Sequence, residues 1–420
     1  MSAGIAEEET KVMANFPEWY EKLRSEAAEE FAKLEWPTRK DENWRFGSYK
    51  KGNLAEAKIV HGGDVTGLPE PAIEGAIRFV FFNNELVATE GEVPEGVIAK
   101  PLADALNEHG ECIQGILPAL QGRLGSPKLA AMHRAKNEGG MAINIGPGFD
   151  GAIEIVHVVS GNGVTVLPSL LLVTMPGAKG RVVERFVNAS DSDEVTVVSV
   201  ADIIAMDGSE ARYLVSQELN AQSQFIRLAD SKLQKEAVTK IGTVHIGSTW
   251  AREETYSTVE GSESNSEILS VAIPDSGQEY DQRTFQHHGA PHTGSDLLFK
   301  NTLFGTAKTV FSGLIFVDED AHYTDAYQTC RNLFMSDKAE ANSMPGLEIN
   351  ADQVKCSHGS TSSRVSDEEI YYLCSRGIQP TSAKRMIAQG FSAEVIEKFD
   401  DEALETFALS RIEAKFAAIA

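Results

Sequence analysis

A cysteine and a histidine two positions apart are the residues of this sequence best suited to chemistry. Cys356 and His358 stand in VKCSHGST, residues 354 to 361, among small and polar neighbours. On a β-strand, residues i and i+2 point to one face with Cα atoms roughly 6–7 Å apart. A thiol beside an imidazole suits iron or iron–sulfur chemistry. Two ligands do not complete a metal or cluster site. The remaining ligands come from elsewhere in the fold or from a second chain, or the pair has only a structural role.

Three further histidines, His287, His288 and His292, lie close together in FQHHGAPHTGSD. On a helix, His288 and His292 would share one face, as the histidines of zinc proteases do. Gly289 and Pro291 oppose a helix here. The sequence therefore favours histidines in loops or turns over a zinc site.

A glycine pattern at residues 146 to 151 fits G-x-G-x-x-G and follows the strand-like MAINI. A dinucleotide site requires a helix next, whose N-terminus would face the pyrophosphate. The strand-like AIEIVHVV follows instead, which predicts a plain turn. The sequence contains neither a G-x-x-x-x-G-K-[ST] segment for nucleotide phosphates nor a G-x-S-x-G nucleophile elbow.

The elements that must position these residues are mostly strands. From about residue 140, Val-, Ile- and Thr-rich segments such as VTVVSVADIIAM and EILSVAI alternate with Gly, Asn, Asp and Ser for over 200 residues. Such spacing allows a sandwich, a barrel or a β-solenoid, and the length favours the solenoid. The absence of an exact internal repeat argues against a propeller.

Helical patterns flank this region on both sides. Apolar spacing predicts a helix over 10–36, helical stretches at 101–121 and 127–136, and a buried strand at 77–87. We predict an N-terminal helical and mixed region over 1–138, a β-solenoid core over 139–365 and a C-terminal helical region over 366–420.

The C-terminal helices carry apolar residues on one face, and Pro380 stands where a first-turn proline belongs. Met386, Ile387 and Phe391 belong to this face. They either cap the solenoid or form a surface that docks a partner, and the pattern leaves both interpretations open.

Composition limits the class of protein. The 420 residues carry a formal net charge of −24 and only four cysteines. We expect neither nucleic acid nor an anionic membrane as a partner. No apolar run approaches the ~20 residues that span a bilayer, and the acidic N-terminus resembles no signal or transit peptide. We therefore expect a reducing cytoplasm.

The C-terminal third is similar to the SufB/SufD family of the SUF iron–sulfur cluster assembly system. The likeness is carried by ADQVKCSHGSTSSRVSDEEIYYLCSRGIQPTSAKRMIAQGF, residues 351 to 391, and continues upstream through 287–349. GRVVERF at 180–186 and WPTRKDENWRF at 36–46 resemble it more faintly. The KCSHG sequence resembles SufD subunits rather than SufB subunits.

The resemblance implies a right-handed parallel β-helix between helical N- and C-terminal regions, and a non-catalytic scaffold subunit. It implies pairing with SufB through the β-helices and with the SufC ATPase through the C-terminal helices. A transient Fe–S cluster or iron would form at the SufB interface, with His358 and its neighbour Cys356 involved. No tightly bound cofactor of the chain's own is expected.

Three positions depart from the family pattern. Residues 360 to 363 read Ser-Thr-Ser-Ser where Ala-Thr-Val-Gly is usual, and Ser169 follows Pro168 where Arg is frequent. Cys330 aligns with a functional cysteine of SufB subunits, so we consider it a third, speculative site residue. The alternatives are a drifted solenoid residue, a SufB-like sulfur-accepting subunit and, from another class, a β-helix carbohydrate-active enzyme.

Overall fold

Two long, mainly parallel β-sheets form the body of the molecule. The computed structural model describes residues 15–38, 40–48, 58–63, 65, 67–117 and 122–419. In both sheets, strands that are neighbours in space are mostly two apart in chain order. The chain therefore alternates between the sheets and places one strand in each per coil, which is a parallel β-helix. The predicted mainly β fold with helices at both ends is confirmed.

Sheet A has eleven strands: β1 (Lys58–Ile59), β4 (Val97–Pro101), β5 (Met141–Ile145), β7 (Asn162–Val166), β8 (Ser169–Thr174), β10 (Glu194–Ala205), β12 (Gln224–Leu233), β14 (Trp250–Val259), β16 (Glu279–His288), β18 (Lys308–Val317) and β20 (Glu340–Ile349). Sheet B has ten strands: β2 (Ile77–Phe82), β3 (Glu85–Glu90), β6 (Ile153–Val159), β9 (Lys179–Asn188), β11 (Glu210–Gln217), β13 (Val238–His245), β15 (Asn265–Ala272), β17 (Gly294–Leu303), β19 (Asp325–Phe334) and β21 (Lys355–Arg364). The α-helices are α1 (Glu18–Lys33), α2 (Leu102–Glu108), α3 (Gly110–Ile116), α4 (Pro127–Lys136), α5 (Asp367–Ser375), α6 (Pro380–Ile396) and α7 (Glu402–Ile419).

Both faces of the middle strands are buried, which explains their nearly continuous apolar runs. One face lines the interior of the β-helix. On the outside, α4 packs against sheet A, and α6 and α7 cover part of sheet B. The strand β10 is consequently buried along most of its length.

A repeated turn connects each sheet A strand to the next sheet B strand. From β10 onward, one residue of each of these turns has a left-handed backbone, with φ between 57° and 64°. These stacked positions are Gly208, Glu236, Glu263, His292, Tyr323 and Gln353. The stacking of equivalent turns replaces sequence repetition, so the coils align although their residues differ.

Two predicted elements are divided in the structure. The strand predicted over 77–87 is the hairpin β2–β3, because Asn83 and Asn84 both have positive φ and form its two-residue turn. The helical stretch predicted over 101–121 is two helices that meet at His109, and residues 118–121 lie outside the described residues. The predicted first helix is described only from Glu18, and residues 10–14 lie outside the described residues.

The boundary placed after residue 138 stays a prediction. The strands β2 to β4, which precede it, hydrogen-bond into both sheets of the β-helix. At the other end, α5 begins at Asp367, directly after β21. Among the described residues, no helix combines the length and the apolar character that crossing a bilayer requires.

Candidate functional site

Cys356 and His358 lie on β21, the last strand of sheet B. β21 pairs in parallel with β19, so that Cys356 is opposite Ala326 and His358 is opposite Gln328. Residues paired in this way point to the same face of a sheet. Ala326 and Gln328 are buried in the interior of the β-helix. Cys356 and His358 therefore face the interior as well, side by side, as the sequence pattern predicted.

The β-helix is open at this end. β21 and β20 are the terminal strands of their sheets, and no further strand of the described chain pairs with either. As a result, the interior-facing side chains of β21 are not covered: Cys356 is partly buried and His358 is exposed. The site combines an interior orientation with access from outside.

The Cys356 thiol is not activated by its surroundings. Its side chain packs beside the small apolar cluster of Ile315, Val317 and Ala326. Burial raises the pKa of the thiol above its usual value, and the nearby carboxylate of Asp325 raises it further. The group is therefore a neutral thiol at neutral pH, and it becomes a ligand only when a metal ion displaces its proton.

Cys330 lies one strand below this pair, on the same interior face. It is opposite Ser360 of β21 and two positions beyond Gln328, which places it roughly 8 Å from His358 between Cα atoms. Its side chain is fully buried, with Sγ 3.7 Å from the hydroxyl of Ser343. Burial raises the pKa of this thiol to about 11. The structure brings the third predicted residue near the other two, but the last coil covers it.

The three histidines of FQHHGAPHTGSD point in different directions. His287 faces outward and forms an ion pair with Asp318, with 2.8 Å between Nε2 and Oδ2. His288 faces inward, and burial lowers its pKa to about 4. His292 occupies the left-handed turn position and stacks on Tyr323. In the described part of the chain, no three His, Cys, Asp or Glu side chains converge in a way that could hold a metal ion.

The glycine pattern at 146–151 connects β5 to β6. No helix follows it, so its backbone amides are not presented to a phosphate by a helix N-terminus. The structure agrees with the turn that the sequence predicted.

The three apolar residues predicted to dock a partner lie on α6 with different exposure. Met386 is 47% exposed, whereas Ile387 and Phe391 are partly buried. Phe391 packs against the interface between the helices and sheet B and lies under the ammonium group of Lys300, 4.5 Å from its ring centroid. The face therefore contributes both to capping and to the exposed surface.

Sequence reasoning missed Gln328, which is buried directly beneath His358. Its position follows from the register of β19 and β21, in which paired residues are 30 positions apart. A search for interior-facing polar residues one coil before the KCSHG segment could have found it. Without the register, however, one glutamine among many polar residues carries no signal.

Comparisons with known proteins agree with the geometry. Residues 157–391, more than half of the chain, match the family model described as SUF system FeS cluster assembly, SufBD core domain. The iron-sulfur cluster assembly protein SufD of Escherichia coli is 29% identical over 395 residues, covering 90% of this chain and 88% of the relative. The protein of the same description from Bacillus subtilis is 23% identical over 420 residues, covering 95% and 94%.

Proposed function

The chain belongs to the SufBD core family of the SUF iron–sulfur cluster assembly system, and we propose that it acts there as a SufD-type, non-catalytic scaffold subunit. In this proposal it pairs with a SufB chain through the open end of the β-helix. Cys356 and His358 supply one half of a site at which a transient Fe–S cluster is built. The cluster is cargo, and the chain keeps no cofactor of its own.

The open terminal coil is the observation that carries this proposal. Edge strands expose unpaired N–H and C=O groups, and natural proteins normally cover or interrupt such edges. Here β20 and β21 are both ten residues long and end their sheets without a partner in the described chain. A second chain that adds strands there would satisfy the backbone and cover His358.

The incomplete ligand set supports a site shared by two chains. Cys356 and His358 provide two donors, whereas a closed tetrahedral site needs four. Cys330 is too deeply buried to contribute a thiolate without movement of the last coil. Iron held by donors from both chains would bring the positive charge that stabilises the Cys356 thiolate.

The C-terminal helices support docking of a second partner, which we propose is the SufC ATPase. α5 has no buried residue, and Tyr371 and Tyr372 are 76% and 55% exposed. Met386 on the neighbouring helix α6 is exposed as well. Exposed tyrosines and methionines are enriched at protein interfaces. SufC would also provide the nucleotide hydrolysis for which this sequence has no phosphate-binding loop.

Co-expression of the chain with SufB and SufC tests the proposal. We expect the three to co-purify, and we expect His358→Ala to leave the complex assembled while reducing cluster formation several-fold. Ser357→Ala is the matched control, since Ser357 adjoins His358 but faces outward. If the chain fails to co-purify with SufB, the assignment is rejected. If His358→Ala and Ser357→Ala form clusters equally well, His358 has no part in the site.

Cys330→Ser separates the SufD-type subunit from the sulfur-accepting, SufB-like alternative. A buried, protonated thiol is a poor nucleophile, which favours the SufD-type role. We therefore expect Cys330→Ser to retain most cluster formation. Loss of cluster formation with an intact complex would instead make Cys330 a ligand or sulfur acceptor. We place the complex in the cytoplasm, as the low cysteine content suggests.

A further inference from the structure

Gln328 lies directly below His358 on the interior face of the terminal coils. The two residues are paired across β19 and β21, so their Cα atoms are about 4.8 Å apart and their side chains leave the sheet on the same side. A glutamine amide and an imidazole on neighbouring strands reach each other easily at this spacing. Gln328 is thus placed to orient His358 from the inside.

The amide of Gln328 is buried and has unused hydrogen-bonding capacity. Gln328 is only 1% exposed, and neither its nitrogen nor its oxygen has a hydrogen-bond partner among the described residues. A buried amide without partners costs about 1–3 kcal/mol per group. Such a group is therefore expected to pair with a polar side chain that a small side-chain rotation brings within reach.

Space for this amide is provided by a glycine across the interior. A Cβ atom on Gly313 would collide with Nε2 of Gln328 and would lie 2.7 Å from Oγ1 of Thr284. The amide nitrogen therefore lies on the sheet A side, next to a hydroxyl oxygen that is itself buried and unpartnered in the described structure. The nitrogen can donate to Thr284, which leaves the amide oxygen for an N–H donor on the other side.

We propose that Gln328 is a positioning residue for His358: its amide oxygen accepts a hydrogen bond from one imidazole N–H. This bond fixes the tautomer of His358 and directs the other, unprotonated nitrogen toward the open end. Histidines that bind metals commonly donate their second N–H to an oxygen, which sets ring orientation and increases ligand basicity. The Gln328–His358 pair itself needs no partner chain. The inference rests on the proposed function only for the identity of the ligand that His358 then binds.

Nitrogen-15 NMR of histidine-labelled protein tests the pair in the isolated chain. The His358 signals are assigned as those lost in His358→Gln, and spectra are recorded at about pH 8.5, where an ordinary imidazole is neutral. We expect one dominant tautomer in the unmodified protein. In Gln328→Met, which keeps the side-chain length but removes the amide, the tautomer ratio should shift about threefold to tenfold, the range that one net hydrogen bond produces.

Three further variants separate positioning from a structural role. Gln286→Met is the matched control, because Gln286 is also fully buried with an unpartnered amide but lies on β16, away from His358. Gln328→Glu retains the acceptor oxygen and should restore one dominant tautomer. Gly313→Ala leaves residue 328 unchanged but displaces its amide, so it should reproduce the effect of Gln328→Met even if that variant folds poorly.

An unchanged tautomer ratio in Gln328→Met, or an equal change in Gln286→Met, would overturn the inference. Cluster formation with SufB is measured separately. If the tautomer responds as expected but no variant at 328 or 358 alters cluster formation, the pair exists and the proposed function fails. If cluster formation depends on His358 but the tautomer ratio does not change in the Gln328 variants, the proposed function stands and the positioning role fails.

Discussion

The attachment of the C-terminal helices to the β-helix can be tested at one close contact. Gly242 faces outward on β13, and a Cβ atom at this position would overlap the ring of Phe399, which is 1% exposed. Gly242 has no positive φ, so an alanine there causes no backbone strain of its own. The destabilising part of the effect of Gly242→Ala is therefore steric, and it acts on the turn between α6 and α7.

The ring cannot easily move aside, because the turn that carries it is held from two directions. The ammonium group of Lys240 donates to the carbonyl oxygen of Lys398 at 2.8 Å. On the other side, Nε of Arg181 donates to Oδ2 of Asp401 at 2.6 Å. Overpacking of a fixed site costs about 1–3 kcal/mol, from which the lower unfolded-state entropy of alanine recovers roughly 0.4–1 kcal/mol. We expect a net loss of about 1–2 kcal/mol.

Hydrogen exchange of α6 and α7 peptides measures this loss locally, whereas a global melting curve would average it over the β-helix. Gly242→Ala should lower the opening free energy of these helices and leave the sheet A strands β8, β10 and β12 unaffected. In a Phe399→Leu background, which removes the clashing ring edge, Gly242→Ala should cost less than about 0.5 kcal/mol. Gly390→Ala on α6 is the control, since its Cβ would meet no atom within 4 Å. An equal cost of Gly242→Ala with Phe399 and with Leu at 399 would refute the steric explanation.

Three further predictions follow from the interior and the cysteines. The guanidinium group of Arg227 is buried and donates to Oε1 of Glu253 at 2.9 Å. Arg227→Met leaves that carboxylate buried without its cation and should lower the free energy of unfolding by about 3–5 kcal/mol in urea denaturation. Adding Glu253→Gln should recover part of this loss, and simple additivity of the two variants would contradict the explanation. Burial lowers the pKa of His133 to about 4 from its usual 6.5, so between these pH values the unfolded chain binds more protons than the folded chain. The free energy of unfolding should therefore fall by about 3 kcal/mol as the pH drops from 6.5 to 4. His133→Gln should flatten this pH dependence of the urea midpoint, and an unchanged slope would exclude His133 as its source. Iodoacetamide should modify the exposed Cys112 in the folded protein but the buried Cys330 only after unfolding, as measured by mass spectrometry. Modification of both thiols at the same rate would show that the last coil opens freely.

The sequence was sufficient for the architecture because strand composition and turn spacing persist over more than 200 residues. It also placed Cys356 and His358 on one face, since the two-residue period of a strand is independent of the rest of the fold. The hairpin at Asn83 and Asn84 was missed although two asparagines can supply the positive φ of a tight turn, because the apolar run on both sides resembles one strand.

Register and burial could not be derived in this way. Whether Cys330 lies beside His358 depends on which residue of β19 is opposite each residue of β21. A shift by one residue would turn every interior side chain outward. The same uncertainty concealed Gln328, whose importance comes from its pairing and not from its sequence context. The difference between an exposed His358 and a buried Cys330 likewise depends on where the stack of coils ends.

The residues of the final coil explain why a chemical site can lie at the end of this β-helix. In the earlier coils the interior is filled by large apolar side chains such as Phe186, Tyr213 and Phe225. On β21 the interior-facing positions are Cys356, His358, Ser360 and Ser362, which bury little apolar area. This coil is held to β19 mainly by backbone hydrogen bonds, so it gains less from folding than the coils beneath it. A partner that covers the end adds the missing burial and surrounds the thiol and the imidazole at the same time, which couples completion of the fold to completion of the site.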